Sequence, residues 1–151
     1  MEQWNSVDEI LEFAIGNEEK AAEFYAELAG KVKTAQMRAV FEGFAREEQG
    51  HKAKLEGVKL SGSLAPASKK VMDLQLADYL VDAQPTDDMD YQQALTLAMK
   101  QEKAAFKLYN DVAAVADDPE ISSLFQFLAQ EEAKHKLRFE IEYDDYILTE
   151  N

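Results

Sequence analysis

Four stretches of the chain repeat apolar residues in alternating steps of three and four, the spacing that lays one face of an α-helix against a packed interior. The first seam runs Leu11, Ala14, position 18, Ala21, Tyr25, Leu28, and the second runs Met37, Phe41, Phe44, positions 48 and 51, Leu55, Val58. A third runs Tyr91, Leu95, Ala98, position 102, Ala105, Tyr109, Val112, and a fourth Ile121, Phe125, Leu128, positions 132 and 135, Phe139. Local signals place the ends. Ser6 with Glu9 forms an S-x-x-E capping box and Gly30 stands where a helix would stop, which predicts a first helix over about 7–29. Thr34 caps a second over about 35–60, ended by "SGSLAP" at 61–66. Asp87, after Pro85, caps a third over about 88–116, and Asp118 caps a fourth over about 119–146, with Pro119 at its first position.

The first and last connections are a few residues long, so each flanking pair of helices is an antiparallel hairpin. Residues 61–86 are long enough to return along a whole bundle, with room for a short helix in "SKKVMDLQLADYL". Met72, Leu74, Leu76 and Leu80 of that crossover belong on the bundle or at a subunit contact. With 151 residues, 46% of them hydrophobic, the chain suits one domain over 1–151, and only six glycines and three prolines argue against disorder. The expected architecture is all-α: a four-helix bundle made of two hairpins joined by a long crossover.

Charge narrows the partners. A formal net charge of −14 repels phosphate backbones and anionic lipid surfaces, so neither nucleic acid nor a membrane is expected as a partner. No stretch approaches the roughly 20 apolar residues of a membrane span, and "MEQWNSVDEILEF" lacks a basic leader region, so a cytoplasmic location is the default. The absence of cysteine excludes disulfides, thiolate nucleophiles, Cys-ligated zinc and iron–sulfur clusters within this sequence.

The seams are interrupted in the same way four times. Positions 18, 48, 102 and 132 are glutamates, and the two histidines of the chain, His51 and His135, follow Glu48 and Glu132 by three residues, in "FAREEQGHK" and "LAQEEAKHK". Glu48 and Glu132 each lie 14 residues beyond their caps, Thr34 and Asp118, so they sit at matching depths. An offset of 84 residues relates Glu18 to Glu102, Glu48 to Glu132 and His51 to His135, with Ala14/Ala98, Tyr25/Tyr109 and Phe41/Phe125 in the same register, so the two halves look like copies. Burying four carboxylates with two imidazoles costs several kcal/mol per unmatched ion, about as much as a small domain's margin. No Lys or Arg falls on the seams near them. Two divalent cations would offset four carboxylates, and the nitrogen and oxygen donors suit iron or manganese. Glu19, Glu47 and Glu131 fall one step off the seams and are the weaker ligand candidates. Trp4, Phe13 and Phe24 have no role beyond packing.

At these residues the sequence resembles the rubrerythrin-like branch of the ferritin-like superfamily, over nearly the whole chain. "AIGNEEKAAEFY" at 14–25 and "FEGFAREEQGHK" at 41–52 are similar to the family's first- and second-helix motifs, and "AMKQEKAAFKLY" at 98–109 and "FQFLAQEEAKHK" at 125–136 repeat them. The resemblance implies a ferritin-like bundle with a di-iron centre: Glu18 and His51 on one metal, Glu102 and His135 on the other, Glu48 and Glu132 bridging as catalytic carboxylates. Manganese or a mixed pair fits the same donors. A cysteine-free chain cannot hold the family's rubredoxin-type domain, so electrons are expected from a separate rubredoxin or reductase. Where one set of relatives has a further glutamate, three residues after the third-helix ligand, this chain has Ala105, which leaves open the metal movement that accompanies peroxide reduction there.

Two adjacent ferrous ions can deliver two electrons to peroxide or to dioxygen, and hydrogen peroxide reduction is the leading expectation. A ferroxidase or iron-storage protein acting on dioxygen is the alternative, and a metal-free partner-binding bundle is the third. Tyr25 and Tyr109, seven residues after Glu18 and Glu102, are candidates to hydrogen-bond ligands or relay an electron, or simply pack the core. Ferritin-type cages resemble a bundle followed by a fifth helix, and only "ILTEN" follows Tyr146, which lowers the storage expectation without removing it; a homodimer is the expected assembly.

Overall fold

A computed structural model of the chain describes residues 7–60 and 85–150. It contains α1 (Val7–Lys31), α2 (Ala35–Leu60), α3 (Tyr91–Val115) and α4 (Pro119–Glu150), with no strand among the described residues. Ser6, Trp4 and the crossover segment 61–84, with its expected short helix and Met72, Leu74, Leu76 and Leu80, lie outside the described residues.

The caps follow side-chain chemistry at each N-terminus. Thr34 Oγ1 accepts the Met37 N–H at 3.1 Å to start α2, and Asp118 Oδ1 accepts the Glu120 N–H at 2.9 Å to start α4. The start of α3 departs from expectation. Its cap is Asp90, not Asp87: Asp90 Oδ1 accepts the Gln93 N–H at 2.7 Å while the Gln93 side chain accepts the Asp90 N–H at 2.9 Å, a reciprocal box that Asp87 cannot form. Asp87 instead pairs with Lys31. Gly30 does not stop α1, which runs on to Lys31 without a left-handed glycine. At the far end α4 passes Tyr146, because Tyr143 and Tyr146 still find apolar partners; the Tyr146 ring meets Tyr91 edge-on at 5.3 Å.

α1 packs along α2 and α3 along α4, so the hairpins are the main units, joined by contacts that include α1 against α3. Two apolar clusters fill the bundle. One takes Leu11 from α1, Leu55 from α2, Val112 from α3 and Phe125 from α4. The other takes Leu28, Phe41, Leu95 and Phe139 from the same helices in the same order. Thus α2 ends at one end of the bundle and α3 starts at the other. On every helix the seam glutamate falls between the two clusters. Among the described residues no helix is long and apolar enough to cross a membrane.

Candidate metal centre

A polar layer separates the two apolar clusters. Glu18, Glu48, Glu102 and Glu132 are each 1% exposed, His51 7% and His135 2%. Their phase on the helices put them there. All six predicted positions meet, in two groups of donor atoms whose members lie within 4.8 Å of one another: Glu18, Glu48, His51 and Glu132 in one, Glu48, Glu102, Glu132 and His135 in the other. Glu48 and Glu132 belong to both.

The histidines present Nδ1 to this layer. His51 Nδ1 lies 3.1 Å from Glu132 Oε1, 3.5 Å from Glu48 and 3.7 Å from Glu18, and His135 Nδ1 lies 3.0 Å from Glu48 Oε1, 3.6 Å from Glu102 and 3.9 Å from Glu132. The rings stack at 5.6 Å and 14°. Each residue nevertheless keeps at least one buried atom that hydrogen-bonds to nothing in the protein: Oε2 of Glu18 and Glu102, Oε1 of Glu48 and Glu132, and Nδ1 of both histidines. Buried polar atoms are normally paired. Six orphans converging on one layer, all lone-pair donors of the type that binds divalent metal, are what two cations would satisfy.

Tyr25 and Tyr109 do more than pack. Tyr109 donates its hydroxyl proton to Glu18 Oε1 at 2.6 Å, and Tyr25 donates to Glu102 Oε1. Each tyrosine thus holds one oxygen of the glutamate on the opposite hairpin and leaves Oε2 free.

The electrostatics are those of a buried cluster of carboxyls and imidazoles that share protons. Burial raises the Glu18 carboxyl, His51 draws it back and Glu48 lifts it again, for a net pKa of about 8. Burial and the charges of Glu102, Glu18 and Glu48 raise Glu132 well above the carboxylate range. Burial also acts to raise Glu48, but His135, His51 and Glu18 overcome it and hold this carboxyl below that range. Burial disfavours the imidazolium of His51, yet Glu18 and Glu48 raise it to about 10; Glu102 and Glu48 do the same for His135. Burial and facing carboxylates keep Tyr25 and Tyr109 protonated.

Two residues set aside in the sequence stand next to the histidines. Glu47 Oε1 is 3.4 Å from His135 Nε2, and Glu131 Oε1 is 4.0 Å from His51 Nε2. Their off-seam phase hid them; the sequence signal was the doubled glutamate itself. Glu19 pairs with Lys52 at 3.3 Å, away from the centre. Phe24 packs against Tyr25, ring centroids 5.4 Å apart, and Phe13 lies against the other cluster.

Residues 9–143 match the family model named Rubrerythrin. No curated protein matches the chain. A crystal structure from Thermotoga maritima, assigned as a ferritin-like diiron-carboxylate protein, is similar over 97% of this chain and 99% of its own, with a TM-score of 0.77 at 18% identity. A hypothetical protein from Pyrococcus furiosus is similar over 92% of this chain and 89% of its own, with a TM-score of 0.67 at 26% identity.

Proposed function

The chain belongs to the rubrerythrin family, and on that premise we propose that it is a non-haem di-iron oxidoreductase that reduces hydrogen peroxide with electrons from a separate donor protein. The observation that carries this reading is the pair of four-donor groups sharing Glu48 and Glu132. Three carboxylates and one imidazole in each suit ferrous iron, and a pair of such ions would supply two electrons and a Lewis acid. Hydrogen peroxide takes up two electrons and two protons to become two waters, a count that one pair of ferrous ions meets; dioxygen taken as far as peroxide needs the same number, so the two oxidants are separated by their rates of reaction and not by the count.

The residues of the chain bind and orient. Glu18 and His51 would hold one ion, Glu102 and His135 the other, with Glu48 and Glu132 shared. Tyr109 and Tyr25 fix Oε1 of Glu18 and Glu102, so that Oε2 of each is aimed without freedom to rotate away. The apolar clusters on either side exclude water from the layer, which strengthens every charge interaction within it. With no cysteine in these 151 residues, no thiolate-held iron lies among them, and the proposed source of electrons is a donor outside them such as a rubredoxin or a reductase.

Anaerobic reconstitution with ferrous iron, followed by rapid mixing with hydrogen peroxide or with dioxygen, tests the reading. Ferric absorbance in the near ultraviolet should rise much faster with peroxide. Faster oxidation by dioxygen would overturn the peroxidase assignment in favour of ferroxidase, and failure to bind iron would overturn both.

A further inference from the structure

Each histidine has a second nitrogen, and the first glutamate of each Glu-Glu pair lies beside it from the opposite hairpin. Glu47 on α2 approaches His135 on α4, and Glu131 on α4 approaches His51 on α2, at 3.4 and 4.0 Å from Nε2. Each outer carboxylate divides its oxygens in the same way. Glu47 turns Oε1 to the imidazole and Oε2 to Arg138 Nη1 at 3.0 Å; Glu131 turns Oε1 to the imidazole and Oε2 to Lys134 Nζ at 3.0 Å. Arg138 also lies over the Phe44 ring at 4.4 Å, and Phe44 meets the His135 ring edge-on at 4.8 Å. The clamp on Glu47 is therefore continuous with the packing of the histidine that it faces.

Proton placement gives this arrangement a purpose. An imidazole that offers its Nδ1 lone pair to a cation carries its proton on Nε2, and a buried N–H without an acceptor is unfavourable. His135 is 2% exposed and its Nε2 has no hydrogen-bond partner in the protein, while the Glu47 carboxylate is within ion-pair reach. A small rotation of that carboxylate completes the bond.

We propose that Glu47 and Glu131 are positioning residues: each accepts the Nε2 proton of the histidine on the opposite hairpin, holds Nδ1 toward the centre, and so sets the affinity of the half-site to which that histidine belongs. This rests on the metal reading above. Its signature is crosswise. Loss of Glu47 weakens the half-site of Glu102 and His135 and spares that of Glu18 and His51; loss of Glu131 does the reverse.

Zinc, which has no redox chemistry, is the probe, with binding measured by competition against a chromophoric chelator. In a His51→Ala background only the His135 half-site remains. There, adding Glu47→Ala should weaken zinc binding by about 10–100-fold, the usual effect of losing a carboxylate partner of a ligating histidine, while adding Glu131→Ala should leave it unchanged. A His135→Ala background should exchange the two results. Glu47→Gln, which keeps a carbonyl acceptor, should recover most of the loss. In the two-site chain loaded with zinc, the ¹⁵N signals of the histidines give the same test without depending on either background: Glu47→Ala should speed solvent exchange of the Nε2 proton of His135 alone. Equal weakening of one half-site by both alanine variants, or of neither, overturns the proposal while leaving the metal reading intact. A wild-type chain that takes up neither zinc nor ferrous iron overturns both.

Discussion

Replacing Glu18 with glutamine should make the metal-stripped protein more stable, although it removes a ligand. Glu18 is 1% exposed, and its carboxyl is raised from 4.5 to about 8, by burial first, then by Glu48 against the pull of His51. At pH 7 the folded chain therefore holds a proton there that the unfolded chain releases. A carboxyl raised in this way carries no penalty below pH 4.5, a growing one from 4.5 to about 8, and a constant one above. At 1.36 kcal/mol per pH unit this amounts to roughly 3 kcal/mol at pH 7 and roughly 5 above pH 8. Glutamine abolishes the penalty and keeps an amide oxygen for Tyr109, but it replaces the carboxyl 3.7 Å from His51 Nδ1 with an amide, a poorer neighbour for that nitrogen. That exchange takes back part of the gain, leaving about 1–3 kcal/mol at pH 7 and, at 2–4 °C per kcal/mol for a chain of this length, a rise in Tm of roughly 3–10 °C. Scanning calorimetry in excess chelator at pH 5 and pH 8 is the assay, and the advantage of the variant should widen at the higher pH. With ferrous iron present the order should reverse, since only the wild type gains full binding energy. A stripped variant that melts below wild type at pH 8, or a difference that is the same at both pH values, would refute the reasoning.

The histidines predict a second pH effect in the stripped wild type. Raised from 6.5 to about 10, His51 and His135 contribute stability that is complete below pH 6.5 and lost as the pH climbs toward 10, which urea denaturation across that range would detect. Loading with ferrous iron at about a thousand times its dissociation constant should add about 4 kcal/mol per site, and chelation should remove it, as read from Tm. Tyr25→Phe or Tyr109→Phe, each leaving an oxygen of Glu102 or Glu18 without its donor, should cost about 1–3 kcal/mol and weaken iron binding while helical circular dichroism persists. Asp90→Ala should cost about 1 kcal/mol in urea denaturation, whereas Asp87→Ala should produce no measurable change, because Asp90 carries the cap of α3.

The meeting of six side chains was legible in the sequence because a helix converts spacing into direction. Glu48 and His51 fall in line with Phe44 and Leu55, so burying the apolar pair buries the polar pair too. The tyrosine partners were not legible. Tyr25 follows Glu18 by two turns on α1, yet it bonds Glu102 of α3. Side chains lean toward the N-terminus of their own helix. Glu18 therefore leans away from Tyr25, toward the end where Tyr109 packs, while α3 runs antiparallel and tips Glu102 toward Tyr25. Glu47 and Glu131 were hidden for another reason. One step along a helix turns about 100° off the seam, and only the neighbouring hairpin gives that direction a partner. At the start of α3, Asp87, Asp88 and Asp90 could each cap, and the discriminating signal was Gln93, three residues after Asp90.

The cross-contacts of the centre come in pairs. Tyr25 reaches Glu102 and Tyr109 reaches Glu18; Glu48 neighbours His135 and Glu132 neighbours His51; Glu47 approaches His135 and Glu131 approaches His51. Each pair is related by the 84-residue offset, and residue i of one half touching j of the other while j touches i is the contact pattern of a two-fold interface. A lone hairpin of this kind supplies one Glu from its first helix and Glu-x-x-His from its second, three donors for one ion. Its copy completes the set, because Glu48 and Glu132 each serve both groups. The ions would therefore join the hairpins across the layer where the apolar clusters give way to carboxylates, and their binding energy would act as hairpin-to-hairpin energy. The symmetry breaks outside that layer. Arg138 spans to Glu47 of the other hairpin, but Lys54, its counterpart at the same offset, lies over Phe127, and Glu131 is held by Lys134 of its own helix. Both halves keep a cation that crosses between the hairpins, and they differ in what it meets: beside His135 the Arg138 guanidinium pairs with the Glu47 carboxylate, whereas beside His51 the Lys54 ammonium lies over the Phe127 ring, which faces His51 edge-on.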